Sequence, residues 1–321
     1  MRKPIKAGVA ACLFSLSTLA SAAYPDRTVE FIVPYAPGGT TDLIARIVAT
    51  KLGDVLGQSV VVVNKPGAGG AVGSAYAARQ KPDGYTLVMA VESSHAVNPS
   101  VQSKPQYDPV KDFTPISNLA NVLGVLDVNA KSDIKTFQQL LDVLKANPGK
   151  LSFGSSGLGG YSHLFGERFL SVTDTEMLHV PYNGLGPALT ALLSDQINVV
   201  FDNLPSSAGQ IQAGAFRPLA VAAPARVKSL PDVPTYAEVG YPQLNTPSWF
   251  GIAAPANIPA DVLNTLNKAV GEVLADPKVV DLIEKQGAVP DHTSPEGFKK
   301  IIEDSNKRWQ GVVQAIGFKK L

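Results

Sequence analysis

The sequence has little cysteine, little charge and few long apolar runs, and each shortage excludes a class of protein. Its 321 residues contain one cysteine, Cys12, so neither a disulfide scaffold nor a thiolate zinc site can form. Charged residues make up 17% and the formal net charge is +1, which offers no basic surface for nucleic acid. No apolar stretch reaches the roughly 20 residues that a membrane-spanning helix needs. The length instead suits a globular protein of two domains.

The first 22 residues have the pattern of a signal peptide. Three basic residues within the first six positions precede an apolar run from Ala7 to Leu19, and Ala20-Ser21-Ala22 resembles a cleavage site. A lipoprotein anchored through Cys12 is an alternative, but most of the apolar run follows that cysteine. We therefore expect an exported, periplasmic protein cleaved after Ala22.

Beyond the cleavage site, strand patterns and helix patterns alternate, as in an open α/β sheet. The first β-rich runs are Val29–Val33, Val60–Val63 and Tyr85–Ala90. A second unit of the same kind begins near Leu123, and Trp249 opens a return strand. We predict two α/β lobes, each a mainly parallel sheet flanked by helices, with the ligand cleft between them. Residues 1–22 are the signal peptide, 23–122 plus 250–321 lobe 1, and 123–249 lobe 2.

Two glycine-rich loops, each between a predicted strand and a predicted helix, are candidate anion sites. They are Pro37–Asp42 and Gly154–Gly160. The N–H groups of a first helical turn lack partners and favour a bound anion, and glycine lets a ligand approach the backbone. The alternative for the first loop is an ordinary turn, with Thr40 as helix cap and Asp42 complementing the helix dipole. The alternative for the second loop is a flexible connector.

Two enzyme motifs are incomplete. A dinucleotide fingerprint within Gly67–Gly73 fails because Ala71 and Val72 stand where glycine is required. The G-x-S-x-G motif of serine hydrolases fails in the second loop because Leu158 replaces its last glycine. We therefore expect neither a nucleotide cofactor nor a nucleophile elbow.

The histidines do not indicate a catalytic site or a metal site either. His163 and Asp202 could in principle complete a catalytic triad, but nothing local supports one. His163 and Glu167 share a helix face, where a structural hydrogen bond is a simpler interpretation than metal ligation. We expect no metal and no other cofactor.

Several segments spread over nearly the whole mature chain are distinctive in combination. They are Phe31–Asp42, Asn64–Gly70, Lys81–Leu87, His179–Gly184, Leu230–Thr235 and Trp249–Gly251. In this order they resemble the Bug family, the periplasmic substrate-binding proteins of tripartite tricarboxylate transporters. The resemblance implies a two-lobed, type II-like periplasmic-binding-protein fold that closes on a small organic anion. It implies no cofactor and no reaction.

The resemblance also implies a ligand, a partner and a set of site residues. The ligand is a di- or tricarboxylate, an acidic amino acid or an aromatic acid, and the partner is the membrane permease of a tripartite tricarboxylate transporter. We expect a monomer, because the lobes must hinge freely. The ligand-binding residues implied are Tyr35, Gly38, Gly39, Thr40, Thr41, Asp42, Ser93, Ser94, Ser155, Ser156, Asn183, Gly184, Pro187 and Asp202. Many members have lysine in place of Asn183, so a highly charged tricarboxylate is less expected.

Two other functions remain open from the sequence. One is a binding module that passes its ligand state to a membrane sensor instead of a transporter. The other is an exported serine hydrolase built around Ser156, which the failed elbow motif disfavours.

Overall fold

The structure is a computed structural model that describes residues 24–285 and 287–321. The expected signal peptide, its cleavage site and Cys12 lie outside the described residues. Within them, no helix combines the length and apolarity needed to cross a membrane.

The strands and helices alternate along most of the chain. The strands are β1 Val29–Val33, β2 Val60–Asn64, β3 Thr86–Val91, β4 Phe113–Val122, β5 Gly124–Asn129, β6 Ser152–Ser155, β7 Leu178–Pro181, β8 Val199–Asn203, β9 Phe216–Ala222, β10 Ser248–Pro255 and β11 Ala288–Pro290. The helices are α1 Thr40–Leu56, α2 Ala71–Ala78, α3 Asn98–Val101, α4 Phe137–Ala146, α5 Tyr161–Thr173, α6 Leu185–Leu193, α7 Leu204–Gln212, α8 Ala260–Ala275, α9 Pro277–Lys285 and α10 Pro295–Ala315. A π-helical turn, Ser93–Val97, leads into α3.

The strands form two sheets, which confirms the two-lobed α/β prediction. One sheet has the order β11-β4-β10-β3-β1-β2, and the other has the order β7-β6-β8-β5-β9. Helix α1 presents Val48 and Leu52 to the same apolar core as Leu266 and Val270 of α8, and this core covers one face of the first sheet. Helix α10 contacts β4, so the end of the chain returns to the first sheet.

The expectation of mainly parallel sheets holds for the direction of most strands, but both sheets are mixed. In the first sheet β2, β1 and β3 run parallel, but β10 runs antiparallel to β3 and β4. In the second, β7, β6 and β8 run parallel, but β5 runs antiparallel to β8 and β9. The chain crosses between the sheets twice, from β4 to β5 and from β9 to β10, and the strands at these two crossings introduce the antiparallel pairs. Strand β10 enters its sheet beside the end of β4, with Ser248 opposite Val122, and must therefore run the other way.

The same crossings place strand ends at the junction between the sheets. Gly124, the first residue of β5, pairs with Asn203 at the end of β8 and with Ala222 at the end of β9. Val91 at the end of β3 pairs with Phe250, near the start of β10. Segments that follow β3 and β8 therefore emerge at the junction, where open α/β sheets bind ligands.

Candidate functional site

A cavity lies at this junction and both sheets contribute to it. It is lined by Tyr35, Ala36, Gly39, Thr40, Thr41, Val91, Ser93, Ser156, Tyr161, Ser162, Leu185, Asn203, Ser248 and Phe250. All of these side chains are uncharged, and hydroxyl groups dominate the polar ones. The cavity volume is about 30 Å³, which holds roughly two water-sized groups. It therefore suits the end group of a ligand.

Within the described residues, α1, α5, α6 and α7 all begin at this cavity. Glycine occupies the N-cap of α1, α5 and α6, and none of these caps makes a side-chain hydrogen bond to its helix; the residues are Gly39, Gly160 and Gly184. Away from the cavity, Thr136 caps α4 and Ser294 caps α10 through their side chains. The starts of α1 and α6 thus leave first-turn N–H groups for a ligand, whereas the first N–H of α5 donates to Ser93 Oγ and that of α7 donates to Leu123 O. The helix dipoles favour an anion.

Two polar side-chain atoms in the lining also lack partners. Thr40 Oγ1 and Asn203 Oδ1 are buried, and no described protein group hydrogen-bonds to them. Buried polar atoms are nearly always hydrogen-bonded, so an unpartnered pair in one cavity is informative. Thr40 is the first residue of α1 and Asn203 is the N-cap of α7, so the two atoms come from opposite lobes. A ligand that accepts from the Thr40 hydroxyl and donates an N–H or O–H to Asn203 Oδ1 would satisfy both.

The lobes touch across the cavity mouth, so the structure shows a closed arrangement. A Cβ built on Gly186 would lie 3.4 Å from the carbonyl oxygen of Pro37, and one built on Gly184 would lie 3.3 Å from Ala36 Cβ. On the inner side, the Tyr161 N–H donates to Ser93 Oγ over 2.9 Å. The start of α6 therefore closes against the loop that precedes α1.

Eight of the predicted ligand-binding residues line this cavity or an outer pocket beside it. Tyr35, Gly39, Thr40, Thr41, Ser93 and Ser156 line the cavity. Tyr35 and Ser156 also line the outer pocket, together with Asn183 and Gly184. The other predicted residues, Gly38, Asp42, Ser94, Ser155, Pro187 and Asp202, line neither space.

Asp42 lies behind the first glycine loop and holds it in place. It is buried and accepts hydrogen bonds from Gly38 N–H at 3.1 Å, Arg46 Nε at 2.9 Å and Asn64 Nδ2 at 2.9 Å. Burial alone would raise the pKa of Asp42, but the hydrogen bonds from Arg46, Asn64 and Gly38 lower it overall. Gly39, and not Thr40, is the N-cap of α1, which leaves the Thr40 hydroxyl free.

Ser94 and Ser155 are also turned away from the cavity. Ser94 Oγ contacts the backbone of Val91 and lies 2.9 Å from His95 Nδ1. Ser155 Oγ lies 2.6 Å from His179 Nε2, and neither residue lines the cavity.

The geometry offers little to the hydrolase alternative. Ser156 Oγ pairs with Ser162 Oγ at 3.1 Å, and not with a histidine. His163 and His179 stack on each other at 3.8 Å between ring centroids, and burial lowers their pKa to about 3 and about 4. In the part of the chain that the structure describes, no group of three or more His, Asp or Glu could hold a metal ion.

Asp202 belongs to a buried pair of carboxyl groups beneath the cavity. It accepts hydrogen bonds from Ser206 and from the N–H of Asn203. Asp127 pairs with Val200 and Asp202 with Val125, so both carboxyl groups lie on one face of the β5–β8 pair. Burial raises the pKa of Asp202 to about 7, and burial together with Asp202 raises the pKa of Asp127 well above its usual value.

This pair should make stability fall with rising pH. Because the folded state holds these protons more tightly than the unfolded state, the stabilisation is complete near pH 4 and is lost as pH rises towards about 7. Each pKa unit corresponds to about 1.4 kcal/mol, so we expect the wild type to lose about 2 kcal/mol or more between pH 5 and pH 8. Urea unfolding at both pH values measures the loss. Asp127→Asn should make it clearly smaller.

An exposed aspartate of the same lobe provides the control. Asp133→Asn should leave the difference between pH 5 and pH 8 as it is in the wild type. Equal pH dependence in Asp127→Asn and the wild type would show that the buried pair does not titrate in this range.

Several lining residues were missed by the sequence reasoning. They are Ala36, Val91, Tyr161, Ser162, Leu185, Asn203, Ser248 and Phe250. The place of some of these residues in the sequence could have revealed them. Tyr161 and Ser162 begin the helix after the second glycine loop, and Asn203 ends the strand that carries Asp202. Phe250 lies in the distinctive segment Trp249–Gly251, but nothing in the sequence distinguished it as a cavity residue from the other buried residues of β10.

Two mixed α/β sheets, a cleft between them and helix starts aimed into that cleft define a periplasmic-binding-protein fold, the architecture of a solute receptor. The chain belongs to the tripartite tricarboxylate transporter receptor family, whose model matches residues 44–318. Protein BugT of Bordetella pertussis is 37% identical over 297 residues, which are 92% of this chain and 91% of that protein. The predicted Bug-family membership is thereby confirmed.

Solved structures show the same fold. A periplasmic transporter is 49% identical and superposes with a TM-score of 0.90, over 91% of this chain and 98% of the other. Rpa4515 of R. palustris, solved with adipate, is 35% identical and has a TM-score of 0.89, over 92% of this chain and 98% of the other. The family consists of periplasmic solute-binding proteins that take small carboxylates and work with tripartite transporters.

Proposed function

We propose that this protein is a periplasmic receptor that captures a small organic carboxylate and delivers it to a tripartite tricarboxylate-type membrane transporter, without carrying out a reaction. The observation that carries the proposal is the convergence of the starts of α1, α5, α6 and α7 on one cavity. Helix starts supply N–H donors and a favourable dipole, which are the groups that hold a carboxylate when no cation is beside it.

The binding energy can come from a few contacts. Thr40 Oγ1, Ser93 Oγ, the hydroxyl groups of Ser156 and Ser162, and first-turn amides surround the cavity. A hydrogen bond to a charged group contributes about 1.5–3 kcal/mol, and micromolar affinity requires about −8 kcal/mol. A carboxylate held by a handful of these groups would therefore bind usefully despite the uncharged lining.

Closure of the lobes would complete the site. Thr40 and Thr41 come from one lobe, and Leu185 and Asn203 come from the other, so only the closed form presents both sets of groups. A ligand that contacts both sets favours the closed form by its differential affinity. We propose that the closed arrangement described above is the ligand-holding state.

The residues behind the lining are proposed to position it. Asp42 fixes the loop at Gly38, Ser94 fixes the turn after β3, Ser155 anchors the second glycine loop to His179, and Asp202 supports Asn203. Pro187 is exposed on α6 and has no contact with either space. The lobe boundaries 23–122 plus 250–321 and 123–249, cleavage after Ala22, export to the periplasm and a monomeric state belong to the same proposal.

A ligand panel tests this function. The mature chain is unfolded and refolded to remove any ligand carried through purification, and its melting temperature is measured with dicarboxylates, tricarboxylates, acidic amino acids and aromatic acids. A ligand at a hundred times its Kd should stabilise the fold by about 2.7 kcal/mol, which is a clear rise in Tm. Isothermal titration then gives the Kd. A panel without a single stabilising acid would contradict the carboxylate assignment.

A further inference from the structure

The closed cleft contains two neighbouring compartments of different size. The cavity at the helix starts, here called the inner cavity, has a volume of about 30 Å³, and the outer pocket has a volume of about 250 Å³. Tyr35 and Ser156 line both spaces and so form the partition between them. The inner cavity holds roughly two water-sized groups, which is the size of a carboxylate. The rest of a bound molecule must therefore extend past Tyr35 and Ser156 into the outer pocket.

The outer pocket is built from uncharged groups. The backbone of the loop Gly67–Gly70 forms one wall, and Leu158, Tyr182 and Asn183 form the other. Tyr35 donates its hydroxyl to Gly69 O at 3.0 Å, so that hydroxyl is already engaged. Asn183 is exposed, and its side-chain amide both donates and accepts hydrogen bonds.

This lining favours some chemical groups over others at the end of the ligand that lies in the outer pocket. An ionised carboxylate would lose part of its hydration on closure and would meet the start of α6 at Gly184 but no cation, so its burial costs more than that of an uncharged group. An amide or a hydroxyl loses far less and can exchange hydrogen bonds with Asn183. The lining therefore favours a neutral polar outer end.

We propose that the natural ligand carries a single ionised carboxylate, held in the inner cavity, and an uncharged polar remainder, held in the outer pocket with Asn183 as the residue that selects it. This inference rests on the proposed receptor function, because it assumes that the inner cavity binds a carboxylate. The expected ligands are half-amides, hydroxy acids and similar monoanions, and dianions should bind more weakly.

Matched ligand pairs test this selection. Isothermal titration of the refolded mature protein compares straight-chain diacids of four to eight carbons with their half-amides, and isophthalate with its half-amide. For each pair that binds, the half-amide should bind at least tenfold more tightly. Diacids that bind as tightly as their half-amides, or more tightly, would overturn the inference and leave the receptor function intact. An absence of binding by every acid tested would instead contradict the proposed function, and this inference with it.

A charge introduced at the outer pocket should invert the preference. Asn183→Lys places a cation in the lining and should raise the ratio of diacid affinity to half-amide affinity at least tenfold. Thr190→Lys adds the same charge on an exposed face of α6 that does not line the pocket, and should leave the ratio unchanged. Equal shifts in both variants would mean that the charge acts at long range, and would contradict the role of Asn183.

Discussion

Gly186→Phe is expected to weaken ligand binding by at least about a hundredfold while leaving the fold intact. A Cβ at this position would lie 3.4 Å from Pro37 O across the cleft mouth, so an aromatic ring cannot fit while the lobes are closed. The variant should stay open and lose the contacts from the starts of α6 and α7. Two lost hydrogen bonds to a charged ligand cost about 3–6 kcal/mol, and each 1.4 kcal/mol is a factor of ten.

The control for this variant makes the same change elsewhere in the same lobe. Gly209 is exposed on α7 and has no atom within 4 Å of a Cβ built on it, so Gly209→Phe should bind ligand as the wild type does. Titration of both variants with the best ligand of the panel measures the difference, and urea unfolding checks that both are folded. Wild-type affinity in Gly186→Phe would show that the closed contact plays no part in binding.

The first lobe shows how much of the site was predictable. The pattern β1, glycine loop, α1 was evident because a β-rich run, glycines and helical spacing follow one another within Val29–Leu56. The same logic found the loop before α5, whereas the residues at the start of α6 were implied only by the family resemblance. Local sequence therefore predicted which loops reach the cleft, since helix starts and glycine turns are local features.

The direction of individual side chains was not predictable in the same way. Asp42 faces away from the ligand because Arg46 and Asn64 hold it, and Asn64 comes from the neighbouring strand β2. Asp202 sits beside Asp127 only because β5 and β8 pair in antiparallel register. These contacts depend on residues distant in the chain, so a single sequence carries no signal for them.

Some elements were missed for local reasons. Strand β4 contains Pro115 and four polar residues among its ten, so it lacks the alternation that marks a strand. It pairs with β10 on one side and β11 on the other, and the tertiary context decides its state. The mixed sheets follow from the same strand, because β10 must return along it.

Thr40→Val should separate a binding role from a structural one. The Thr40 hydroxyl is buried in the cavity, and no described protein group hydrogen-bonds to it. If it donates to the ligand carboxylate, its loss should raise Kd by about ten- to a hundredfold, because one hydrogen bond to a charged group contributes about 1.5–3 kcal/mol. The free protein should be as stable as the wild type or more stable, since valine keeps the shape and removes an unsatisfied buried hydroxyl.

These opposite effects are what distinguish a ligand contact from a packing contact. Thr50 lies on the exposed side of the same helix, where its hydroxyl donates to Arg46 O at 2.9 Å, and Thr50→Val should leave Kd unchanged. Titration gives Kd, and thermal unfolding without ligand gives stability. A loss of stability that parallels the loss of affinity in Thr40→Val would mean that the hydroxyl supports the loop. Weaker binding by an equally stable protein would mean that the start of α1 keeps this hydroxyl unpaired for the carboxylate.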